Sequence, residues 1–343
     1  MKPLSVEEIK QIGNIPLNFV IGKERSGTTL LQVILNGHPN IAAPPESRFI
    51  MLFYSRYGNK KNWTEKELTN FCNDLFKEKA FKRDWNINKE SLLESFITAK
   101  NIATYPLLCK IVFYHFAPEK DIKLFFDKNP IYCNFLPKLK MLFPEAKYIH
   151  LIRDYRANVV SHRRVFITKQ SVDITYRWLQ MNKQVEEAKS LSPERFFTLK
   201  YENLVREPAK SVQGFCSFFN VPVYEEIASE HTKYVYSSYS VNNNKHFRSV
   251  HQKVFTPITS DFVDEWKKIL PPDDIFQAEI IAGKYAEKMY EYPTLSSTKL
   301  TRMNMFVEFI IKVKYKLIKN TYKIVLSNPK LYIIITKRVW KNF

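Results

Sequence analysis

The feature that most constrains the fold is a turn with a glycine at each end that directly follows a short apolar run. The apolar run covers residues 17–21, and the turn extends from Gly22 to Gly27. Glycines let the backbone curl so that successive N–H groups, here those of residues 26–29, point at one anion where a helix begins. The sequence therefore predicts a strand, an anion-binding turn and a helix, in that order.

Short apolar segments alternate with helical patterns along much of the chain. This alternation is typical of an α/β fold in which helices cover both faces of a central parallel sheet, here a three-layer fold of the P-loop type. Residues 50–120 are expected to form a helical insertion between the first two strands. Strands are predicted at residues 17–21, 124–126, 148–152 and 196–199, and helices at 28–36, 65–79, 89–101, 157–168, 174–189, 208–219, 261–270 and 274–290.

The charge of the chain is large and unevenly distributed. Lys and Arg number 53 against 34 Asp and Glu, and the net charge of +19 requires an anionic partner. Residues 299–343 contain 11 basic residues and one acidic residue. We therefore predict a compact domain over residues 1–293 and a basic C-terminal helical extension over residues 294–343. The apolar content of 45% excludes wholesale disorder.

A second motif lies at the end of the third predicted strand. Arg153 directly follows the apolar residues 148–152, and Ser161 comes eight positions later in a predicted helix. An arginine at a strand end offers a forked donor, and a serine on the next helix adds a hydroxyl to the same phosphate. This pair predicts a second phosphate site.

Together the two motifs resemble those of sulfotransferases that use 3′-phosphoadenosine 5′-phosphosulfate (PAPS). The resemblance covers roughly residues 17–290 and implies transfer of a sulfuryl group from PAPS to an acceptor hydroxyl. Tyr201 matches the family's Tyr-Glu-x-Leu segment, and a late basic segment departs from the Arg-Lys-Gly form of the cytosolic members. The implied cofactor-binding residues are Arg25, Ser26, Gly27, Thr28, Thr29, Arg153, Ser161, Tyr201, Arg248, Ser249 and Lys253.

The resemblance also implies the catalytic residues. Phenol- and steroid-sulfating members carry a His two residues after a Lys, but Pro130 holds that place here. Tyrosylprotein sulfotransferases instead carry a Glu shortly after a His-Pro pair, and Glu46 matches it. Glu46 is thus the implied base, Lys128 the donor to the bridging oxygen, and Arg25 the clamp on the phosphosulfate. An unperturbed glutamate titrates near pH ~4.3, so base work near neutral pH would need burial to raise its pKa.

Structural alternatives stay open for these residues. Glu46 could be a solvated loop carboxylate, and Lys128 could pair with Asp127. His38 is the next candidate base, although we expect it to pack where the first helix ends. Tyr155 and Arg156 are expected to face solvent beside the second phosphate motif.

Two other functions compete with sulfuryl transfer. A P-loop kinase or NTPase needs a lysine after Gly27, where Thr28 stands, together with a metal carboxylate. A basic module that binds nucleic acid or an acidic glycan explains the charge but not the paired phosphate motifs. We expect no metal ion, because a sulfuryl group carries less charge than a phosphoryl group, and no nucleic acid. The expected partners are PAPS and a hydroxyl acceptor, namely a glycan, a lipid, a small molecule or a tyrosyl peptide.

The basic tail has a mixed pattern. Residues 305–323 place apolar side chains at helical spacing opposite a lysine stripe, which suits either a membrane interface or packing on the domain. The four cysteines have no metal-binding spacing, which is typical of a reduced chain. No signal peptide or membrane-spanning run is expected. We therefore expect a cytoplasmic protein whose residues 305–323 either contact a membrane surface or pack on the domain.

Overall fold

The computed structural model describes residues 4–165, 170–238 and 251–295, with residues 309, 310 and 313 in addition. The chain divides into two compact units. Among the described residues, the first unit contains those up to 153 and those within 181–264, and the second contains those within 154–180 and those from 265 onward. The predicted boundary between residues 293 and 294 stays a prediction. The four cysteines are free and buried.

The first unit is built on a parallel sheet of five strands in the order β2-β3-β1-β4-β5. Val20 on β1 pairs with Lys128 on β3, and Phe19 on β1 pairs with Tyr148 on β4. All strands run the same way, so their carboxyl ends meet at one edge, which is where ligands bind in open α/β sheets. The strands are β1 (Leu17–Gly22), β2 (Ile41–Ala42), β3 (Leu124–Lys128), β4 (Tyr148–Ile152) and β5 (Phe196–Lys200).

Side chains that alternate along the strands fill a hydrophobic core on each face of this sheet. On β1, Phe19 belongs to the core formed with the helical insertion, and its neighbour Val20 belongs to the core on the opposite face. On β3, Phe125 and Phe126 divide in the same way. The three-layer α/β fold predicted from the sequence is therefore confirmed.

The helices of the first unit flank the sheet, and those between β2 and β3 form the predicted insertion. One further helix, Ser171–Leu191, contains the division between the units. The helices are Val6–Asn14, Thr28–Gly37, Phe49–Leu52, Tyr54–Tyr57, Glu65–Lys77, Lys79–Asp84, Lys89–Thr98, Tyr105–Phe116, Leu136–Leu142, Tyr201–Arg206, Pro208–Phe219, Glu226–Ser229 and His231–Ser238, with shorter 3-10 turns at Lys100–Ile102, Pro130–Phe135, Pro193–Arg195 and Gln252–Phe255.

The second unit is helical and packs around Trp266 and Leu270. Arg156 is 1% exposed, and its guanidinium donates to Glu279 Oε1 at 2.8 Å and to Asp154 Oδ2 at 2.8 Å. The expectation that Tyr155 and Arg156 face solvent is therefore wrong. The described elements are Tyr155–Arg163, the first part of Ser171–Leu191, Trp266–Ile269, Pro272–Ala278, a π-helical turn at Glu279–Gly283, and Lys284–Tyr290.

Some predicted features lie outside the described residues or stay untested. Arg248, Ser249 and nearly all of residues 305–323 are outside the described ranges. Among the described helices, none has the length and apolarity that crossing a membrane requires.

Candidate active site

The loop after β1 has the backbone of an anion-binding turn. Gly22 has φ 145°, and a Cβ there would lie 2.3 Å from the carbonyl oxygen of Leu151. Gly27 has φ 94°, and a Cβ there would lie 2.5 Å from Cδ2 of Tyr201. Arg25 also has a left-handed backbone, with φ 69°. Only glycine fits the close approaches at residues 22 and 27, so the two glycines of the motif are explained by the geometry.

The helix Thr28–Gly37 begins at this loop, and within the described part of the chain no side chain caps its first turn. Its N–H groups and the positive end of the helix dipole are therefore available to an anion. The hydroxyl-bearing residues of the motif are buried here: Ser26 is 0% exposed, Thr28 5% and Thr29 8%.

Arg153 lies beside the same loop. It follows β4, and its guanidinium stacks on the ring of Tyr201, 4.2 Å from the ring centroid. One guanidinium nitrogen, Nη1, donates to the carbonyl oxygen of Arg25 at 3.3 Å, and Nη2 donates to that of Phe262 at 3.0 Å. The stacking and the two bonds fix the plane of the guanidinium. The structure thus brings Arg25, Gly27, Arg153 and Tyr201 together.

Two other predicted cofactor-binding residues, Lys253 and Ser161, are not among the residues that the structure brings together at the loop. Lys253 is exposed in the turn Gln252–Phe255, and its ammonium lies 2.8 Å from the ring centroid of Phe262, whose carbonyl holds Arg153. Ser161 is half-buried in the helix Tyr155–Arg163, in the second unit. Its partnership with Arg153 stays a prediction.

Two of the three implied catalytic residues, Glu46 and Lys128, form an ion pair. Lys128 Nζ lies 2.9 Å from Glu46 Oε2, and Arg48 Nη2 lies 3.6 Å from Glu46 Oε1. The Lys128 side chain is 5% exposed and that of Glu46 is 31% exposed. Lys128 therefore pairs with Glu46 and not with Asp127, the alternative considered from the sequence.

The pairing sets the protonation of Glu46. Burial would raise the pKa of its carboxyl, but the positive charges of Lys128 and Arg48 outweigh burial and hold the pKa below its usual value. Base work near neutral pH was predicted to need a pKa raised by burial, and the direction found is the opposite. Glu46 is consequently ionised at neutral pH, which is the form that can accept a proton.

Buried donors from distant segments hold the loop that carries Glu46. Trp85 Nε1 donates to the carbonyl oxygen of Pro45 at 3.0 Å, and Gln32 Nε2 donates to that of Ala43. Ser47 donates from its hydroxyl to Glu78 at 2.9 Å. Because the backbone is fixed on both sides of Glu46, the carboxylate has a defined position.

His38 is committed to the backbone. The N–H of Asn40 donates to His38 Nδ1 at 3.0 Å, so the ring proton is on Nε2, which donates to the carbonyl oxygen of Pro222 at 2.8 Å. Burial lowers the pKa of His38, which is 0% exposed. These contacts support the packing role expected for His38 over a role as base.

Three residues at this edge of the sheet were not predicted from the sequence as part of the site. Asn129, directly after Lys128, is buried and donates to the carbonyl oxygen of Ser47 at 2.9 Å. Phe262 supplies a carbonyl to Arg153 and a ring to Lys253. Lys23, inside the loop, is 1% exposed and lies 2.6 Å from Glu24. Only the last of these follows a local pattern, an adjacent Lys-Glu pair.

Known proteins resemble this chain in sequence. The sulfotransferase family profile matches residues 16–226. The chain is similar to protein-tyrosine sulfotransferase 1 of Danio rerio, with 26% identity over 81% of this chain and 73% of that protein. It is also 26% identical to protein-tyrosine sulfotransferase 1 of Homo sapiens, over 81% and 70%, and 25% identical to the Drosophila melanogaster protein-tyrosine sulfotransferase, over 76% and 48%.

Solved structures share the fold. The sulfotransferase domain of the Synechococcus PCC 7002 olefin synthase superposes with a TM-score of 0.51 at 22% identity, covering 78% of this chain and 94% of that one. The sulfotransferase domain from the curacin biosynthetic pathway gives a TM-score of 0.52 at 22% identity, covering 79% and 98%. At this identity the likeness concerns the fold.

Proposed function

The chain belongs to the sulfotransferase family, and we propose that it transfers the sulfuryl group of PAPS to an acceptor hydroxyl with Glu46 as the base. The observation that carries this proposal is the 2.9 Å ion pair between Lys128 and Glu46. It places a proton acceptor beside a cation at the carboxyl end of β3.

The residues around the loop fit the anionic nucleotide. An uncapped helix start and the guanidinium of Arg153, which bonds to the backbone of Arg25 in the loop, suit phosphate and phosphosulfate groups. The ring of Tyr201 lies against Gly27, close to where a nucleotide held by this loop would extend. The donor set supports PAPS over an uncharged co-substrate.

The residues would divide the chemistry as follows. Glu46 takes the proton of the acceptor hydroxyl while the acceptor oxygen bonds to sulfur and the bond from sulfur to the bridging oxygen breaks. Lys128 stabilises the negative charge that develops on the bridging oxygen, and the nucleotide leaves as 3′-phosphoadenosine 5′-phosphate (PAP). An ammonium has three donors, so Lys128 can bind that oxygen while it still contacts Glu46.

A tyrosyl hydroxyl is the first acceptor to test, because the named relatives act on protein tyrosine. The test incubates the enzyme with PAPS and, in turn, a tyrosyl peptide, a glycan, a lipid and a small alcohol. The proposal expects PAP release that depends on one acceptor, whose mass rises by one sulfuryl group. PAP release that no acceptor stimulates, or phosphate release from ATP, would contradict it.

We expect Arg153→Ala to weaken PAP binding by about 1.5 to 3 kcal/mol, since it removes charge-assisted bonds to a phosphate. Calorimetry measures the affinity, and thermal unfolding checks the fold. Arg56→Ala is a matched control, because Arg56 is exposed and pairs with Asp74. Ser161→Ala should weaken PAP binding less. Equal affinities of Arg153→Ala and the parent would refute the assignment of the 3′-phosphate to Arg153.

Turnover should be unchanged by EDTA. A sulfuryl group needs less charge neutralisation than a phosphoryl group, and the cations of the site are arginines and a lysine. Loss of turnover in EDTA that magnesium restores would favour the kinase alternative.

The cellular location also belongs to the proposal. Four buried free thiols support a reducing compartment, as in the cytoplasm. Contact with a membrane through residues 305–323 stays a prediction.

A further inference from the structure

Asn129 connects the two chain segments that carry the proposed catalytic pair. It directly follows Lys128 and is 0% exposed. Its amide Nδ2 donates to the carbonyl oxygen of Ser47 at 2.9 Å and to Asp127 Oδ1. Ser47 is the residue after Glu46, so one amide group spans from the end of β3 to the loop of the base.

We propose that Asn129 is a positioning residue whose amide, oriented by Asp127, holds Glu46 at bonding distance from Lys128. The inference rests on the proposed function, because it assigns Asn129 a part in transfer through those two residues. No contact of Asn129 with substrate is needed.

The backbone explains why Asp127 and Asn129 act together. Side chains alternate along β3, and Asn129 is still extended, with φ −134° and ψ 96°. Asp127 and Asn129 therefore lie on one side of the chain, and Lys128 lies on the other side, toward Glu46. The carboxyl of Asp127 can therefore bind and orient the amide of Asn129, while Lys128 pairs with Glu46.

The polar atoms of this pair indicate a neutral Asp127. Asp127 Oδ2 and Asn129 Oδ1 are buried, and neither has a hydrogen-bond partner within the described part of the chain. Two buried acceptors without a donor are costly, and a proton on the carboxyl supplies the missing donor.

Electrostatics agree with a protonated carboxyl. Burial raises the pKa of Asp127 well above its usual value, and the negative charge of Glu46 acts in the same direction, against the bond from Asn129 and the charge of Lys128. The nearby groups Cys109 and Tyr132 are themselves held in their neutral forms by burial. A neutral Asp127 does not compete with Glu46 for Lys128.

The test compares Asn129→Ala with the parent in the full chain. Loss of the bond to Ser47 should let Glu46 drift from Lys128, so kcat should fall about 10- to 100-fold, as expected for a small misplacement of a reacting group. PAP affinity should be unchanged. The pKa of Glu46 should rise, because a carboxylate farther from Lys128 loses part of the positive charge that offsets burial. This pKa is measured by carbon-13 NMR of the Glu46 carboxyl, and the signal is assigned with Glu46→Gln. Asn134→Ala is a matched control, since Asn134 donates to the local carbonyl of Ile131.

A second variant tests the role of Asp127. Asp127→Asn mimics the neutral acid in shape and can still orient the amide, so the pKa of Glu46, followed by the same carbon-13 signal, should stay at the parental value. If Asn129→Ala does not fold, Asn129→Ser, which retains one donor, carries the same readouts.

The outcomes separate the inference from the proposed function. An unmoved Glu46 titration and a parental kcat in Asn129→Ala would overturn the inference, even if Glu46→Gln is inactive. A raised Glu46 pKa in Asn129→Ala would support positioning by Asn129, and a parental turnover of Glu46→Gln would then remove only the base assignment. A rise of the Glu46 pKa in Asp127→Asn as large as that in Asn129→Ala would overturn the neutral form of Asp127 on which the orientation of the amide depends.

Discussion

Glu46→Gln should lower turnover about 10²- to 10⁴-fold, the usual contribution of a positioned acid or base. Glutamine keeps nearly the same shape and can still accept a hydrogen bond from Lys128, but it cannot take the acceptor proton. PAP binding should be unchanged, because the predicted nucleotide contacts lie around Gly27 and Arg153. Turnover is measured as acceptor-dependent PAP release, and binding is measured by calorimetry.

The pH profile gives this prediction a second readout. The pKa of Glu46 is held below its usual value of 4.5, so the proton-accepting form is full at neutral pH and is lost only as the pH falls through that lowered pKa. In Glu46→Gln the acidic limb of kcat/KM should disappear. Glu94→Gln, an exposed glutamate of the helical insertion, is the control. Parental turnover with an unchanged profile would show that Glu46 is not the base.

Lys128→Met should lower turnover about 10²- to 10³-fold, the typical loss when one preorganised donor to a developing negative charge is removed. Methionine fills the space of the lysine stem, so the buried end of β3 should keep its packing. Because the cation that offsets burial is gone, the pKa of Glu46 should rise, and the acidic limb of kcat/KM should move to higher pH.

The direction of that shift tests the coupling between Lys128 and Glu46. A Lys128 whose charge does not act on Glu46 could change the unfolding temperature, but its loss would not move the acidic limb. Lys123→Met, at an exposed lysine that pairs with Asp121 just before β3, is the control and should leave both readouts at parental values. An acidic limb that stays in place, or moves to lower pH, in Lys128→Met would refute the coupling to Glu46.

The sheet could be predicted because its strands carry local patterns. The segments predicted at residues 17–21, 124–126, 148–152 and 196–199 are all strands, extended by at most two residues. The strand β2 was missed because two residues form no period, and it exists only through pairing with β3. The helix Tyr105–Phe116 was missed because most of its own residues are buried. A helix that is buried on most sides has apolar residues all around it, so its sequence lacks the alternation of apolar and polar residues that marks a helix with one exposed face.

Helix boundaries were predicted less well where a side chain interrupts a periodic run. The run predicted as one helix over residues 65–79 ends at Lys77, because Glu78 caps a separate helix by accepting from the N–H of Phe81 at 2.6 Å. The helix predicted over residues 261–270 is reduced to Trp266–Ile269. In both cases apolar residues keep a helical spacing beyond the point where the helix ends, so the pattern alone predicts a helix that is too long.

The site was predicted as far as its residues lie in local motifs. The spacing of Gly22 and Gly27 predicts the anion-binding loop, and the position of Arg153 directly after a predicted strand indicates its place in the site. The contact between Glu46 and Lys128 joins residues 82 positions apart, and no local pattern encodes it. The same holds for Arg156, whose burial depends on Glu279, 123 positions away.

The most direct test of the proposed co-substrate is a calorimetric titration of the enzyme with PAP and with ATP. A site with an uncapped helix start, Arg25 and Arg153 should favour the nucleotide that carries both a 5′- and a 3′-phosphate. We expect PAP to bind at least about tenfold more tightly than ATP, a difference of about 1.4 kcal/mol, with no requirement for magnesium. Equal or tighter binding of ATP, dependent on magnesium, would contradict PAPS-dependent transfer.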